Sequence, residues 1–220
     1  MKAKRDFPSL PVTEKAEESI RKGHPWVYDT EITGSADGIE NGSLVDVVSG
    51  RGAYLGTGFL SLNSRIRVRL LGSNPNEKFD AAFFRRRIKY AIDYRLTVMK
   101  DDFSCCRLVF GEADGLPGLT VDRYGSILSA QCASYGTEQR KDEIYSALYD
   151  VMEEYGVTVS IYERNDLSVR KLEGLSEYKG WYNELPHPDT AYTEITENGI
   201  VYGVDIENGQ KTGFFLDQKY

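Results

Sequence analysis

Residues 43–71 read SLVDVVSGRGAYLGTGFLSLNSRIRVRLL, and this stretch decides the architecture of the front of the chain. Ile66, Val68 and Leu70 alternate with Arg65, Arg67 and Arg69. That period of two marks a half-buried strand, because successive side chains of a strand point to opposite faces. Two more strands precede it, Ser43–Val48 and Tyr54–Leu60, with a turn at Ser49-Gly50-Arg51-Gly52 between them. Short strands joined by glycine turns at this spacing predict a small barrel. Upstream, Phe7–Val12 reads as extended, Thr13 as the N-cap of a helix over 14–22, and Gly23 as its stop. His24–Tyr28 is extended again, with Trp26 read as core. Gly72-Ser73-Asn74-Pro75-Asn76 reads as a linker.

Past the linker, Asp80 caps a strong helix in which Phe84, Ile88, Ala91, Ile92 and Leu96 recur at helical spacing. Arg107–Phe110, Leu119–Asp122 and Ile127–Cys132 read as antiparallel strands. A helix over Thr137–Tyr155 follows, with Ile144, Leu148, Val151 and Met152 on one face, and then a strand over Val157–Tyr162. The order β-β-β-α-β predicts an α+β domain. After Pro186-His187-Pro188 comes a hairpin, Tyr192–Thr196 and Ile200–Ile206, turning at Glu197-Asn198-Gly199. The expected units are therefore 1–75, 76–188 and 189–220.

Apolar residues make up 40% of the 220 and charged residues 28%, which describes a folded chain and not a disordered one. No apolar run approaches the roughly 20 residues of a membrane helix, and no secretory signal is visible. Cys105, Cys106 and Cys132 are too few for a disulfide framework, and two histidines far apart make a metal centre unexpected. A reducing, cytoplasmic setting with no metal and no membrane follows as the expectation. The net charge of −7 is uneven: residues 1–100 carry +5 and the remainder −12. A polyanion is thus expected to meet the front half.

No complete catalytic constellation is visible: there is no P-loop, no G-x-G-x-x-G, no G-x-S-x-G and no H-E-x-x-H. The carboxylate pairs Glu112/Asp114 and Glu163/Asp166 sit in turn-like contexts and read as turn chemistry. Cys105-Cys106 reads as small core residues at a strand start. Three segments carry more. Arg21, Lys22 and His24 could contact phosphate. Arg65, Arg67 and Arg69 place three guanidinium groups on one strand face at phosphate spacing, although a solvated face paired with Asp and Glu explains them equally well. Gly209–Gln218 gathers Gln210, Lys211, Thr212, Phe214, Phe215 and Asp217 into one loop, a sensible wall for a nucleotide-like ligand.

These residues also carry a resemblance. GHPWVY followed by GAYLGTGFLSLNSRIRVRLL looks like a PUA domain, a small RNA-binding pseudo-barrel. RLVFGEADGLPGLTVDRYG with IYERNDLSVRKLEGL is similar to the central α+β domain, and ENGIVYGVDIENGQKTGFFLDQ to the opening of the Rossmann-like domain, of the S-adenosylmethionine-dependent large-subunit ribosomal RNA cytosine-5 methyltransferases. The resemblance covers essentially the whole chain. It implies S-adenosylmethionine as cofactor of the complete enzyme, contacted by Gln210, Lys211, Thr212, Phe214 and Asp217 but bound weakly or not at all by this chain, and ribosomal RNA as partner; a homodimer is compatible with it. In that family a cysteine thiolate adds to C6 of the base and C5 takes the methyl group. None of the three cysteines matches that cysteine's place. The main glycine-containing cofactor loop is also unmatched, and Lys219 stands where the family usually has arginine. The resemblance therefore implies a truncated form, an RNA-recognition portion inactive by itself, whose hairpin and terminal segment Gly209–Tyr220 lack packing partners. A stand-alone RNA-binding module and a protein-interaction module remain the other readings.

Overall fold

The computed structural model describes residues 6–218. Lys219 and Tyr220, where the sequence departs from the family pattern, lie outside the described residues, as do residues 1–5.

The front unit is a five-stranded sheet in the order β1-β3-β4-β5-β2. Its strands are β1 (Ser9–Val12), β2 (Trp26–Tyr28), β3 (Leu44–Ser49), β4 (Tyr54–Leu60) and β5 (Ile66–Gly72). β1 runs parallel to β3, and the other pairs are antiparallel. Between β1 and β2, helix α1 (Glu14–Arg21) starts at Thr13, whose Oγ1 accepts from the Ala16 amide at 3.3 Å. Ala16 closes a core of Leu10, Val12, Val27, Val45, Val47, Leu55, Leu60 and Val68.

The second unit begins with helix α2 (Ala81–Met99), N-capped by Asp80, whose Oδ1 accepts from the Phe83 amide at 3.1 Å. Strands β6 (Cys105–Phe110), β7 (Leu119–Tyr124) and β8 (Ile127–Cys132) follow as an antiparallel meander. Next come α3 (Tyr135–Glu138), α4 (Lys141–Glu154), β9 (Ser160–Asn165), α5 (Val169–Leu172) and β10 (Tyr178–Trp181). The sheet order is β10-β9-β8-β7-β6, with β9 parallel to β8. The structure splits the helix expected over Thr137–Tyr155 into α3 and α4. It extends the next strand to Asn165, so that Glu163 lies buried mid-strand and not in a turn.

Both faces of this sheet are covered. Cys106, Leu108, Leu128 and Ile161 pack with the apolar stripes of α2 and α4. Their neighbours Cys105, Ile127 and Tyr162 point to the opposite face, as the strand pleat demands. That face is covered by the hairpin β11 (Tyr192–Glu197) and β12 (Ile200–Asp205) through Ile195, Val204 and Ile206. Asn198 and Gly199 turn the hairpin with φ of 52° and 78°, the left-handed pair that a two-residue loop requires.

The two larger units share core. Phe59 and Leu71 of the front sheet belong to the same apolar cluster as α2 and α4. Gly136 of α3 lies so close to the Phe59 ring that a Cβ there would stand 2.3 Å from it. Among the described residues no helix is long and apolar enough to cross a membrane.

Candidate functional site

Two of the resembling motifs, 111–125 and 209–218, meet in space. Asp122, on β7, is 1% exposed. It accepts from the Arg107 guanidinium at 2.8 and 3.0 Å and from Thr212 Oγ1 at 2.6 Å. Two residues on, the Tyr124 hydroxyl bonds Thr212 Oγ1 at 2.9 Å, donates to the Phe214 carbonyl at 3.0 Å and accepts from the Phe214 amide at 3.1 Å. Asp122 and Tyr124 share one face of β7 because they are separated by two, so the loop docks on adjacent anchor points. Burial, followed by the Asp122 charge, holds the Tyr124 phenol well above its ordinary range and keeps it a neutral donor. The hydrogen bond that Arg107 donates to Asp122 is the largest influence raising the guanidinium's pKa. The expectation of a terminal segment without packing partners is thus corrected as far as residue 218: the central domain supplies them.

This docking closes a cavity of about 390 Å³ between the C-terminal turns of α2, the start and end of β6, and the loop. Lys211, Thr212, Phe214 and Asp217, four of the five expected cofactor residues, line it. Gln210 is exposed and bridges to Gly213 outside it. Thr212 is 1% exposed, with its hydroxyl committed to Asp122 and Tyr124, so it positions the loop and has little left to offer a ligand. The Lys211 ammonium lies 4.4 Å from the Phe215 ring centroid, and Asp217 is exposed at the rim. Sequence reasoning missed the opposite wall: Tyr94, Val98 and Met99 of α2, with Arg107 and Phe110 of β6. A volume of this size suits a nucleoside-sized ligand, since such pockets run to roughly 300–1,000 Å³. Aromatic faces, an ammonium and a rim carboxylate are the groups an adenosyl cation with an amino-acid tail would use.

The cysteines belong to the frame. Cys105 and Cys106 both lie in this wall but are buried, and burial pushes the Cys106 thiol up to about 12 and the fully enclosed Cys132 likewise to about 12. Alkylation of Cys106 and Cys132 by iodoacetamide at neutral pH is expected to be at least about a hundredfold slower in the native chain than in a free thiol. A native thiol reacting at the free rate would contradict this.

The basic candidates separate. Arg65 is exposed on the barrel. Arg67 is half-buried and donates through Nη1 to the Ser61 and Leu62 carbonyls at 3.0 and 2.5 Å. Arg69 departs from the expected free face. It is 7% exposed and pairs with Glu112 at 3.3 Å and Glu173 at 3.1 Å, because the central domain covers that end of β5. Arg21 and Lys22 form helical i,i+4 pairs with Glu17 and Glu18 on an exposed face. His24 packs with Trp26 and Tyr28, ring centroids about 6 Å apart. Trp26, expected in the core, is half-buried, and its Nε1 donates to Glu112 at 2.7 Å. Asp114 takes a bidentate bond from Arg95 at 2.6 and 2.8 Å and accepts from the Phe110 amide, which fixes the 111–118 turn to α2.

The front unit is a PUA-like domain: residues 10–73 match the family model of that description. The whole described fold also occurs in methyltransferase structures. A protein from Streptococcus mutans described as a SAM-dependent methyltransferase superposes with a TM-score of 0.77 at 22% identity, over 97% of this chain and 52% of that one. Another, described as a methyltransferase and solved in complex with SAH, gives 0.78 with the same identity and coverage. In sequence the chain is 37% identical over 215 residues to "Ribosomal RNA large subunit methyltransferase I" of Klebsiella pneumoniae subsp. pneumoniae, covering 97% of this chain and 52% of that protein. It is 42% identical over 205 residues to the protein of the same name from Tolumonas auensis, covering 92% and 50%. The chain spans about half the length of the curated relatives it matches.

Proposed function

We propose that these residues form the RNA-recognition portion of an S-adenosylmethionine-dependent methyltransferase of large-subunit ribosomal RNA, acting at cytosine C5 in the cytoplasm. The observation that carries the reading is the convergence at β7: the residues of the two resembling motifs bond to one another and close the cavity beside the loop. The similarity to curated ribosomal RNA methyltransferases over nearly the whole chain supports it.

In this reading the PUA-like unit and the central domain hold structured RNA, with Arg65, Arg67, the exposed Arg21 and Lys22, and His24 as the phosphate contacts. Lys211, Phe214 and Asp217 would form one wall for the methyl donor, whose sulfonium supplies the methyl group. Thr212, Asp122 and Tyr124 hold that wall in place. The three cysteines stay structural and are not the nucleophile.

Two titrations test the reading. Affinity for large-subunit ribosomal RNA should fall steeply with salt, since each neutralised phosphate contributes about 0.9 to the log–log slope on a duplex. SAH should raise the melting temperature in proportion to the logarithm of its concentration. Salt-independent RNA binding would sink the RNA assignment. Steep salt dependence without any SAH effect would favour the stand-alone RNA-binding module.

A further inference from the structure

A second cleft lies between the barrel and the central domain, about 440 Å³ in volume. Trp26, Ile66 and Arg69 line it from the barrel; Phe110, Glu112 and Val169 line it from the other side. Its positive charge is already more than offset. The Arg69 side chain is 9% exposed and its terminal nitrogens pair with two carboxylates, Glu112 and Glu173. No surplus positive charge is left there for a phosphate. What is left is hydrogen-bonding capacity. Arg69 Nε is buried with no hydrogen-bond partner among the described residues, and buried polar atoms are rarely left so without a reason. Glu112 Oε1 accepts from Trp26 and Arg69, while its Oε2 has no hydrogen-bond partner among the described residues. One free donor and one free acceptor thus line an otherwise aromatic and aliphatic slot. A neutral, planar ligand whose edge carries both an acceptor and a donor matches it.

The mouth adds a stacking surface. Phe110 is 55% exposed, with the Arg107 guanidinium 5.3 Å from its ring centroid. It lines both this cleft and the cavity beside the 211–217 loop. Ile66, in the cleft wall, opens β5 between two of the candidate phosphate contacts, Arg65 and Arg67.

We infer that this cleft takes one unpaired nucleobase of the bound RNA, stacked on Phe110, with its edge read by Arg69 Nε and Glu112 Oε2. All four RNA bases carry both kinds of group on one edge; a phosphate or an aliphatic side chain does not. The inference rests on the RNA reading above and adds to it a base-selective subsite apart from the methyl-donor cavity.

The test compares two labelled probes of similar charge: a short oligocytidylate, and the same oligomer with abasic residues at its centre. The wild-type chain should bind the first more tightly. Phe110→Ala should weaken binding of the oligocytidylate about tenfold, the scale of one base stack, and leave the abasic oligomer and the salt slope unchanged. Phe110→Trp should restore the preference. Because Phe110 is exposed, both variants should melt like the wild type. Equal weakening on both probes, or none on either, would overturn the inference, the second outcome leaving the cleft to a protein side chain. If salt-dependent binding persists without any base preference, the cleft inference alone fails. If the wild type binds neither oligomer nor ribosomal RNA, the RNA reading fails with it.

Discussion

Asp122→Ala is expected to release the 207–217 segment from the central domain and to cost about 2–4 kcal/mol of stability. The carboxylate is 1% exposed and is the common acceptor for Arg107 and Thr212. Its removal leaves the guanidinium facing a void and the buried Thr212 hydroxyl with Tyr124 alone. The energy lies below that of a fully buried pair because the Arg107 side chain is 39% exposed. For a chain of this size the loss corresponds to a fall of roughly 5–15 °C in melting temperature. Hydrogen exchange separates this from general weakening. Amides of Thr212–Leu216 should lose protection well beyond those of β7 and β8, and SAH should no longer shift the melting temperature. Unchanged exchange in the loop of a folded variant would show that Asp122 is not its anchor.

Arg65→Ala with Arg67→Ala is expected to lower the salt slope of ribosomal RNA binding by about one unit for each phosphate that the variant no longer neutralises. Where each arginine meets one phosphate, the slope of the double variant falls by about two units, and most of the affinity difference shows at low salt. Arg69→Ala should behave differently. Its guanidinium sits between Glu112, Glu173 and the Trp26 ring, 5.7 Å from that ring's centroid. Removing it should lower the melting temperature before it alters the slope, since the buried Glu173 and the half-buried Glu112 lose their charged partner. A folded double variant of Arg65 and Arg67 with the wild-type slope would take those two residues out of the interface.

The local features of this fold were legible because their causes are local. Thr13 and Asp80 cap their helices through bonds three residues along the chain. Asn198-Gly199 turns its hairpin through its own backbone angles, and the stripes of α2 and α4 follow from helical spacing alone. The features that were not legible depend on distant partners. Arg69 looks like its neighbours Arg65 and Arg67 in the alternating pattern. What buries it is Glu112, 43 residues away, and Glu173, 104 residues away. Strand β10 carries too little apolar pattern to announce itself and exists because β9 offers it an edge. In the candidate site, the loop residues could be read as a ligand wall. Their anchors on β7, some 90 residues earlier, could not, nor could the α2 residues across the cavity. Thr212 shows the consequence: a plausible ligand contact by residue type is a fastener by position.

Ultraviolet cross-linking of the chain to large-subunit ribosomal RNA, with the attached peptides mapped, tests the central claim most directly. Cross-links are expected in residues 64–69, around Phe110, and in the 211–217 loop, all reduced by high salt and absent from the acidic face of α1. Cross-links confined to other surfaces, or a yield no greater than with an unrelated structured RNA, would contradict the claim.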